Sequence, residues 1–488
     1  MMLNKKNTRK KTIYISIPII ALILLVWIVV PQYFTNDRNN LSNDTEVNLP
    51  SLNLHLVFYR YGNVSSNILA WLSMIGVNTI DLSKATLKEN SVVIMDASSI
   101  SKGLPNNLGL LFSKFQNVKK TLIIVIQNRA SKEDKFYAQA TVLKILGSKN
   151  IVPLLPLDPE GEKIVCSASG KCYQPIHPAV YNADAIAFST TPNLFVVIEK
   201  LNKVNFADVF VKLLEWSNVV SAKDMAPYFV GHKSITYGPT NMNYIGSIGW
   251  ISSNTYGQVC NEITGIEEVK VDYWHRTFTA ANSITYDIFY AYTQHSAKGY
   301  ITSCNGNTIY HYPKRFRTTT DWQTSIYPGQ VVDTWGPKNV VTSITITYSL
   351  TAGITAGVSS SGVTVEISSQ AGYSVTIPSG PSFTTIDYSD PASGLIDTGT
   401  VVNEGSFVAD NLSNILFTTE PSSFAYLDPT KPGGFEPMIV NQYFWVEIVN
   451  TTDPNSIGNE NGVVDTASIS FSVSLYSDKV SANNPTPH

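Results

Sequence analysis

The chain has 488 residues, of which only 15% are charged, with a net charge of -3 and an isoelectric point near 6.2. No basic patch lies beyond the first residues, which excludes nucleic acid as a partner. Ser, Thr, Asn and Tyr are abundant, a composition suited to an exterior surface.

Residues 1–11 carry Lys5, Lys6, Arg9, Lys10 and Lys11 and no acid, a basic stub. The run Thr12 to Val30 is uncharged and apolar. Nineteen residues at ~1.5 Å per residue reach ~28 Å, about the hydrocarbon thickness of a bilayer. A transmembrane helix is therefore expected over 12–34, a signal-anchor whose cationic flank keeps the N-terminus cytoplasmic and the bulk extracytoplasmic. A cleaved signal peptide is the competing reading, against which stands the lack of a small-residue cleavage site near Val29–Tyr33. On either reading the rest is exported, and the lipid bilayer is the expected partner of residues 12–34. Residues 35–51 form a polar stalk.

Between 52 and 220, short apolar runs alternate with helical periodicity. Strands are expected at Leu54–Tyr59, Val77–Leu82, Val92–Met95, Thr121–Ile126, Ile151–Leu155 and Ala185–Phe188. Helices are expected at Asn63–Ile75, Leu108–Phe115, Lys132–Leu146 and Asn205–Trp216. That alternation predicts an α/β domain with a mostly parallel sheet. From 228 to 480 the period is two, with Gly, Pro, Asn and Ser turns, which predicts an all-β, antiparallel, sandwich-like region. A loose tail, 481–488, closes the chain.

Four cysteines are expected to form disulfides. Cys166 and Cys172 bracket a tight turn; Cys260 and Cys304 bracket two alternating segments, 267–277 and 283–293, whose midpoint falls on Ala280-Ala281-Asn282. Separate buried thiols are the alternative. Neither pair has zinc spacing, and His275, His295 and His311 share no ligand spacing, so no metal and no cofactor are expected. Sequons at Asn43, Asn63, Asn411 and Asn450 offer glycosylation sites on an exported chain.

In an open α/β sheet, ligands bind beyond the carboxyl ends of the strands. Those ends carry Arg60, Asp96, Asn128 and Arg129, a cation, an acid and an amide that could line a small-ligand crevice. Strand ends are also polar simply because the following loop meets water. No nucleotide-binding or nucleophile-elbow motif accompanies them.

The most distinctive pattern spans 340–377. Val340, Thr342, Ile344, Ile346, Tyr348, Leu350, Ala352, Ile354, Ala356 and Val358 alternate with Ser, Thr and Gly. After Ser359-Ser360-Ser361-Gly362 the phase resets, and Val363, Val365, Ile367, Ala371, Tyr373, Val375 and Ile377 alternate with polar residues. Glu366 is the one charge of this long amphipathic hairpin. It resembles the stem hairpin of β-barrel pore-forming toxins of the aerolysin type, and the resemblance implies a lipid-facing barrel built from several copies. The alternative is a sandwich hairpin packed on the core, with 467–475 as a partner strand. Aromatic residues of the β region, among them Trp274, Trp322, Trp335 and Trp445, could make a glycan-binding surface or fill the core.

Three functions follow, in order of expectation. The first is a single-pass, cell-surface, non-enzymatic binding or structural glycoprotein with other surface proteins or glycans as partners. The second is a pore-forming or antimicrobial protein using hairpin 340–377. The third is a surface hydrolase with its site at the α/β strand ends.

Overall fold

The computed structural model describes most of 56–476; the principal stretches outside the described residues are 1–55, 102–119, 139–150, 155–164, 174–182, 220–241, 256–262, 344–350, 371–381 and 477–488. Residues 51–488 form one compact unit. The chain is mostly β, with mixed and antiparallel sheets and few helices.

The N-terminal part contributes β1 (Val57–Tyr61), α1 (Ser66–Met74), β2 (Thr79–Asp81), β3 (Ser91–Asp96), α2 (Ala97–Ser101) and β4 (Thr121–Ile126). β5 (Ile151–Leu154), β6 (Val165–Cys166), β7 (Cys172–Tyr173), β8 (Ala185–Thr190), β9 (Asn193–Ile198) and α3 (Phe206–Trp216) follow. Then come the long strands β10 (Asn243–Thr255), β11 (Ile263–Thr279) and β12 (Thr285–Gly299), β13 (Ile301–Cys304) and β14 (Asn307–Asp321). β15 (Gln330–Gly336), β16 (Val340–Ser343), β17 (Thr351–Ser359), β18 (Gly362–Gln370), β19 (Ser382–Asp387) and β20 (Leu395–Asn403) lead to α4 (Ala409–Leu412). β21 (Phe417–Thr419), β22 (Ser422–Leu427), β23 (Met438–Thr451) and β24 (Val463–Leu475) complete the order.

Among the described residues, twelve strands make one sheet, ordered β15-β22-β12-β11-β10-β9-β8-β4-β3-β1-β2 with β21 beside β12. Its far end is parallel, β2, β1, β3 and β4, as the continuous apolar runs require. All six residues of β4 are buried. Ser65 caps α1 by accepting from the Ile68 amide, and Ile68 and Leu72, one turn apart, face inward. α3 buries Phe206, Val209, Phe210, Leu213, Leu214 and Trp216.

The parallel layer does not stand apart from the β region. β9 and β10 pair in parallel, Ser247 with Leu194 through Ile251 with Ile198, so one sheet runs from the first strand to the long hairpin β11–β12. The boundary expected at 220–228 falls among residues outside the described ones. Helix α3 reaches across this join. Gly249 of β10 has no room for a side chain because the Trp216 ring would lie 2.8 Å from its Cβ. Lys212 meets Glu268 of β11 at 3.2 Å and Glu215 at 3.0 Å.

The second sheet has eight strands among the described residues, β16-β19-β20-β14-β23-β24-β5 with β13 beside β14. Its β5 was expected in the parallel layer; it pairs instead with the last strand, Ile151 with Leu475 through Leu154 with Ser472. The two sheets enclose one core that includes Tyr59, Val93, Val125, Ile186 and Trp250 from the first sheet and Phe444, Ile469, Phe471 and Leu475 from the second. Each such side chain contributes about 1.5–3 kcal/mol by leaving water.

Buried polar groups join the sheets as well. His295 of β12 bonds Thr318 of β14 through Nδ1 at 2.9 Å and Glu267 through Nε2 at 2.9 Å. Thr320 donates to Gln442 (2.9 Å), which donates to Tyr273 (3.3 Å), and Trp322 donates to Ser423 at 2.9 Å. His275, His295 and His311, expected as strand residues, are all fully enclosed. Among the described residues no cluster of His, Cys, Asp or Glu could hold a metal ion.

The membrane anchor needs correcting. The expected helix 12–34 lies outside the described residues, and among the described residues no helix is long and apolar enough to cross a membrane. The single-pass, signal-anchored localisation depended on that helix alone and is dropped. Cys304 is disulfide-bonded, and its expected partner, Cys260, lies outside the described residues. Cys166 and Cys172 are register partners of β6 and β7.

Candidate functional site

The strand-end residues lie along one edge, because β1, β3 and β4 are parallel neighbours. Arg60 is the register partner of Asp81 and of Ile94. The Asp81 carboxyl is held low by hydrogen bonds from Ser83, with Lys84 and Arg60 adding charge. Asp96 is spent locally, its Oδ1 accepting from the amide (3.0 Å) and hydroxyl of Ser98. Asn128 and Arg129 stand exposed in the turn after β4. Among the described residues no hydrogen bond or ion pair joins these four to one another. An apolar cavity nearby, lined by Ile68, Ile94, Ile126, Ile198 and Phe210, includes none of them. The sheet gathers them without forming a catalytic constellation.

Of the sequons, Asn43 lies outside the described residues and Asn63 is exposed after β1. Asn411 is in α4, and Asn450, half-buried, pairs with His311 across β23 and β14. With the anchor dropped, the anchored-glycoprotein reading is not carried forward.

The amphipathic segment expected over 340–377 is described in two strand pairs, with 344–350 and 371–381 between them outside the described residues. β16 and β19 pair from Val340 with Thr385 to Ser343 with Ser382 at the edge of the second sheet. Among the described residues, β17 and β18 pair with each other alone, as a two-stranded sheet outside both large ones. The register sets Ala352 opposite Ser369, Ile354 opposite Ile367, Ala356 opposite Val365 and Val358 opposite Val363. The alternate pairs are Thr351 with Gln370, Gly353 with Ser368, Thr355 with Glu366 and Gly357 with Thr364. Strand alternation therefore assigns the aliphatic residues of both arms to one face, with Ser369 among them, and the other polar residues and the glycines to the opposite face. A slip of one residue would have mixed them.

The hairpin folds beside the first sheet. β18 runs next to β15, the edge strand of that sheet, without joining it. β15 is interrupted by a bulge between Val332 and Thr334. Asp333 stands at the bulge with its Oδ2 enclosed and, among the described residues, without a hydrogen-bond partner, and burial pushes its carboxyl up to about 6.

Three loops meet at one end of the sheets. Gly329 donates to the Pro432 carbonyl (2.8 Å), and Asp428 donates to the Gly329 carbonyl (2.7 Å). Trp322 donates to the Gly394 carbonyl at 2.9 Å. Gly433, at φ 72°, lies so close to Tyr327 that a Cβ would meet it at 2.9 Å. From this braced cluster Ile326 and Phe435 project, 63% and 54% exposed. Nothing in the sequence patterning singled out this pair, because each apolar residue is isolated in its own loop.

No family model matches the chain, and no curated protein matches it. Among solved structures it is similar to Clostridium perfringens delta-toxin, at 10% identity and a TM-score of 0.23 over 44% of this chain and 98% of that one. A chain described as a pore forming protein gives 11% and 0.27, over 47% and 95%. The Clostridium perfringens NetB toxin in its membrane-inserted form gives 11% and 0.22, over 46% and 96%. Likeness at these scores carries no inference for this chain.

Proposed function

We propose that this protein is a β-hairpin pore former, in which several copies each add the hairpin 351–370 to a closed barrel across a bilayer. The observation that carries the reading is the self-paired hairpin whose register gives one face Ile354, Val358, Val363, Val365 and Ile367 and the other only polar residues and glycine. Each arm has nine residues, about 30 Å at ~3.4 Å per residue, enough to cross the hydrocarbon. One hairpin alone would leave its outer backbone groups unsatisfied in lipid, so only a closed ring of hairpins is tolerated there. The polar face of both arms would line the lumen, with Glu366 as its charge. Ile326 and Phe435, presented on braced loops, suit contact with the bilayer surface before insertion.

A test is depth-dependent fluorescence. Tryptophan placed at Val365 should be quenched by bilayers of brominated phosphatidylcholine, and tryptophan placed at Thr364 should not. Equal quenching at both positions would contradict an inserted, one-face-lipid hairpin.

The non-enzymatic binding role is kept as a second reading, favoured by an exposed aromatic platform on the eight-stranded sheet. A hydrolase has no constellation to support it, since Asp96 is engaged by Ser98 and Asn128 and Arg129 stand in open solvent.

A further inference from the structure

The outer face of the eight-stranded sheet carries rings and guanidinium groups in an order that packing does not demand. Arg317 of β14 is the register partner of Trp445 on β23 and of Gly399 on β20. At Gly399 a Cβ would come within 2.7 Å of the Tyr388 ring, so that ring rests on bare backbone, and it is 54% exposed. The Arg317 Cζ lies 5.8 Å from the centre of the same ring. Two residues further along β14, Thr319 pairs with Tyr443, itself 46% exposed. From Trp445 through Arg317 to Gly399 the row crosses two strand spacings, about 10 Å.

The charges beneath these rings are fixed in one orientation. Asp397, 3% exposed, accepts from Arg317 Nε at 2.9 Å and from Nη2, and also from Thr319 Oγ1 at 3.1 Å. Arg315, two residues away on the same face, pairs with Glu447, 5% exposed, at 3.3 Å. The carboxylates lie under the sheet surface with their acceptors occupied, while the guanidinium ends emerge, 57% exposed at Arg317 and 41% at Arg315. A paired arginine in rigid fork geometry keeps its planar donors aligned for a further acceptor. Aromatic faces receive the C–H faces of sugar rings, and Asp321, the acid beside Tyr443, is engaged by the amide of Gln323 at 2.9 Å.

We propose that Tyr388, Arg317, Trp445 and Tyr443 form a binding site for an oligosaccharide that bears carboxylates. The rings stack on its sugars, and the Arg317 guanidinium receives its acid. A neutral glycan would lack the acceptor the site is built to meet, and a flat protein partner would not require a ring seated over a glycine. The site stands independently of the pore reading, because none of its residues belongs to the hairpin 351–370.

The test is retention of the full chain on immobilised acidic polysaccharide rich in uronate, compared with the same polysaccharide after its carboxyls have been reduced to alcohols. Binding to the first and about tenfold weaker binding to the second are expected, with Tyr388→Ala and Arg317→Gln each costing about tenfold. A free sialylated oligosaccharide competing for the same site would place the acid on a terminal sugar instead. Thermal unfolding separates folding defects from binding defects: Tyr388→Ala, on the surface, should leave the midpoint unchanged. The proposal is overturned if neither uronate nor sialylated glycan is retained, if reduction of the carboxyls leaves retention intact, or if Tyr388→Ala binds as the parent does.

Discussion

Trp250 of β10 and Phe471 of β24 stack in parallel planes with ring centres 6.0 Å apart, one from each large sheet. Both are fully buried, and Phe471 also meets Phe444 at 5.8 Å. Phe471→Ala would leave a cavity where the sheets face each other, and should lower stability by about 3–5 kcal/mol in urea unfolding. A loss below about 1 kcal/mol would mean that the sheets are held together elsewhere.

The buried His295 gives a second measure of that join. Its two ring nitrogens are occupied by Glu267 on its own sheet and Thr318 on the other. Glu267→Ala leaves an enclosed imidazole without its carboxylate, and should cost about 3 kcal/mol. Thr318→Val keeps the shape and removes one neutral bond, costing about 1 kcal/mol. Denaturant midpoints in that order are expected; the reverse order would show that the inter-sheet bond matters more than the carboxylate.

Stability should depend on pH through Asp333. Its carboxyl is pushed up to about 6 by burial, against an ordinary 3.8. The folded state thus holds the proton more tightly than the unfolded one. Its unfavourable contribution is present above pH ~6 and is relieved as pH falls from there toward ~4. The melting temperature of Asp333→Asn should exceed that of the parent at pH 7.5, and the two should converge near pH 4. A constant difference across that range would remove Asp333 as the cause.

Local pattern and long-range pairing were not equally readable from the residues. Strand 121–126 and the helix at 206–216 are where their periodicity put them, and the turn of the β11–β12 hairpin falls at 280–284. Each depends on neighbours a few positions away. The alternation of 352–358 and 363–367 was equally plain, and its register is what one-face patterning requires. The parallel joining of β9 to β10, and of β5 to β24, was not readable: a short apolar run pairs equally well with any edge, and only the closed core selects one. The platform around Arg317 was hidden for the same reason. Trp445 is one aromatic among many in the sequence; its register partner Arg317 comes from β14, and the Tyr388 ring beyond it rests on Gly399 of β20.

Barrel charge offers a direct reading of the pore. Glu366 is the one charged residue of β17 and β18 and falls on the polar face of the hairpin register, so a ring of these side chains would favour cations. Reversal potentials across planar bilayers in a salt gradient should show cation preference, and Glu366→Lys should reverse it. Identical selectivity in both would place the conducting path elsewhere.

Dye release from liposomes by the purified full chain, before and after limited proteolysis, bears most directly on the pore itself. The parent is expected to release dye, and Ile367→Asp, which sets a charge on the aliphatic face, should abolish release with its melting temperature unchanged. Liposomes that stay intact with the parent under both conditions, or that leak equally with Ile367→Asp, would contradict a pore built from this hairpin.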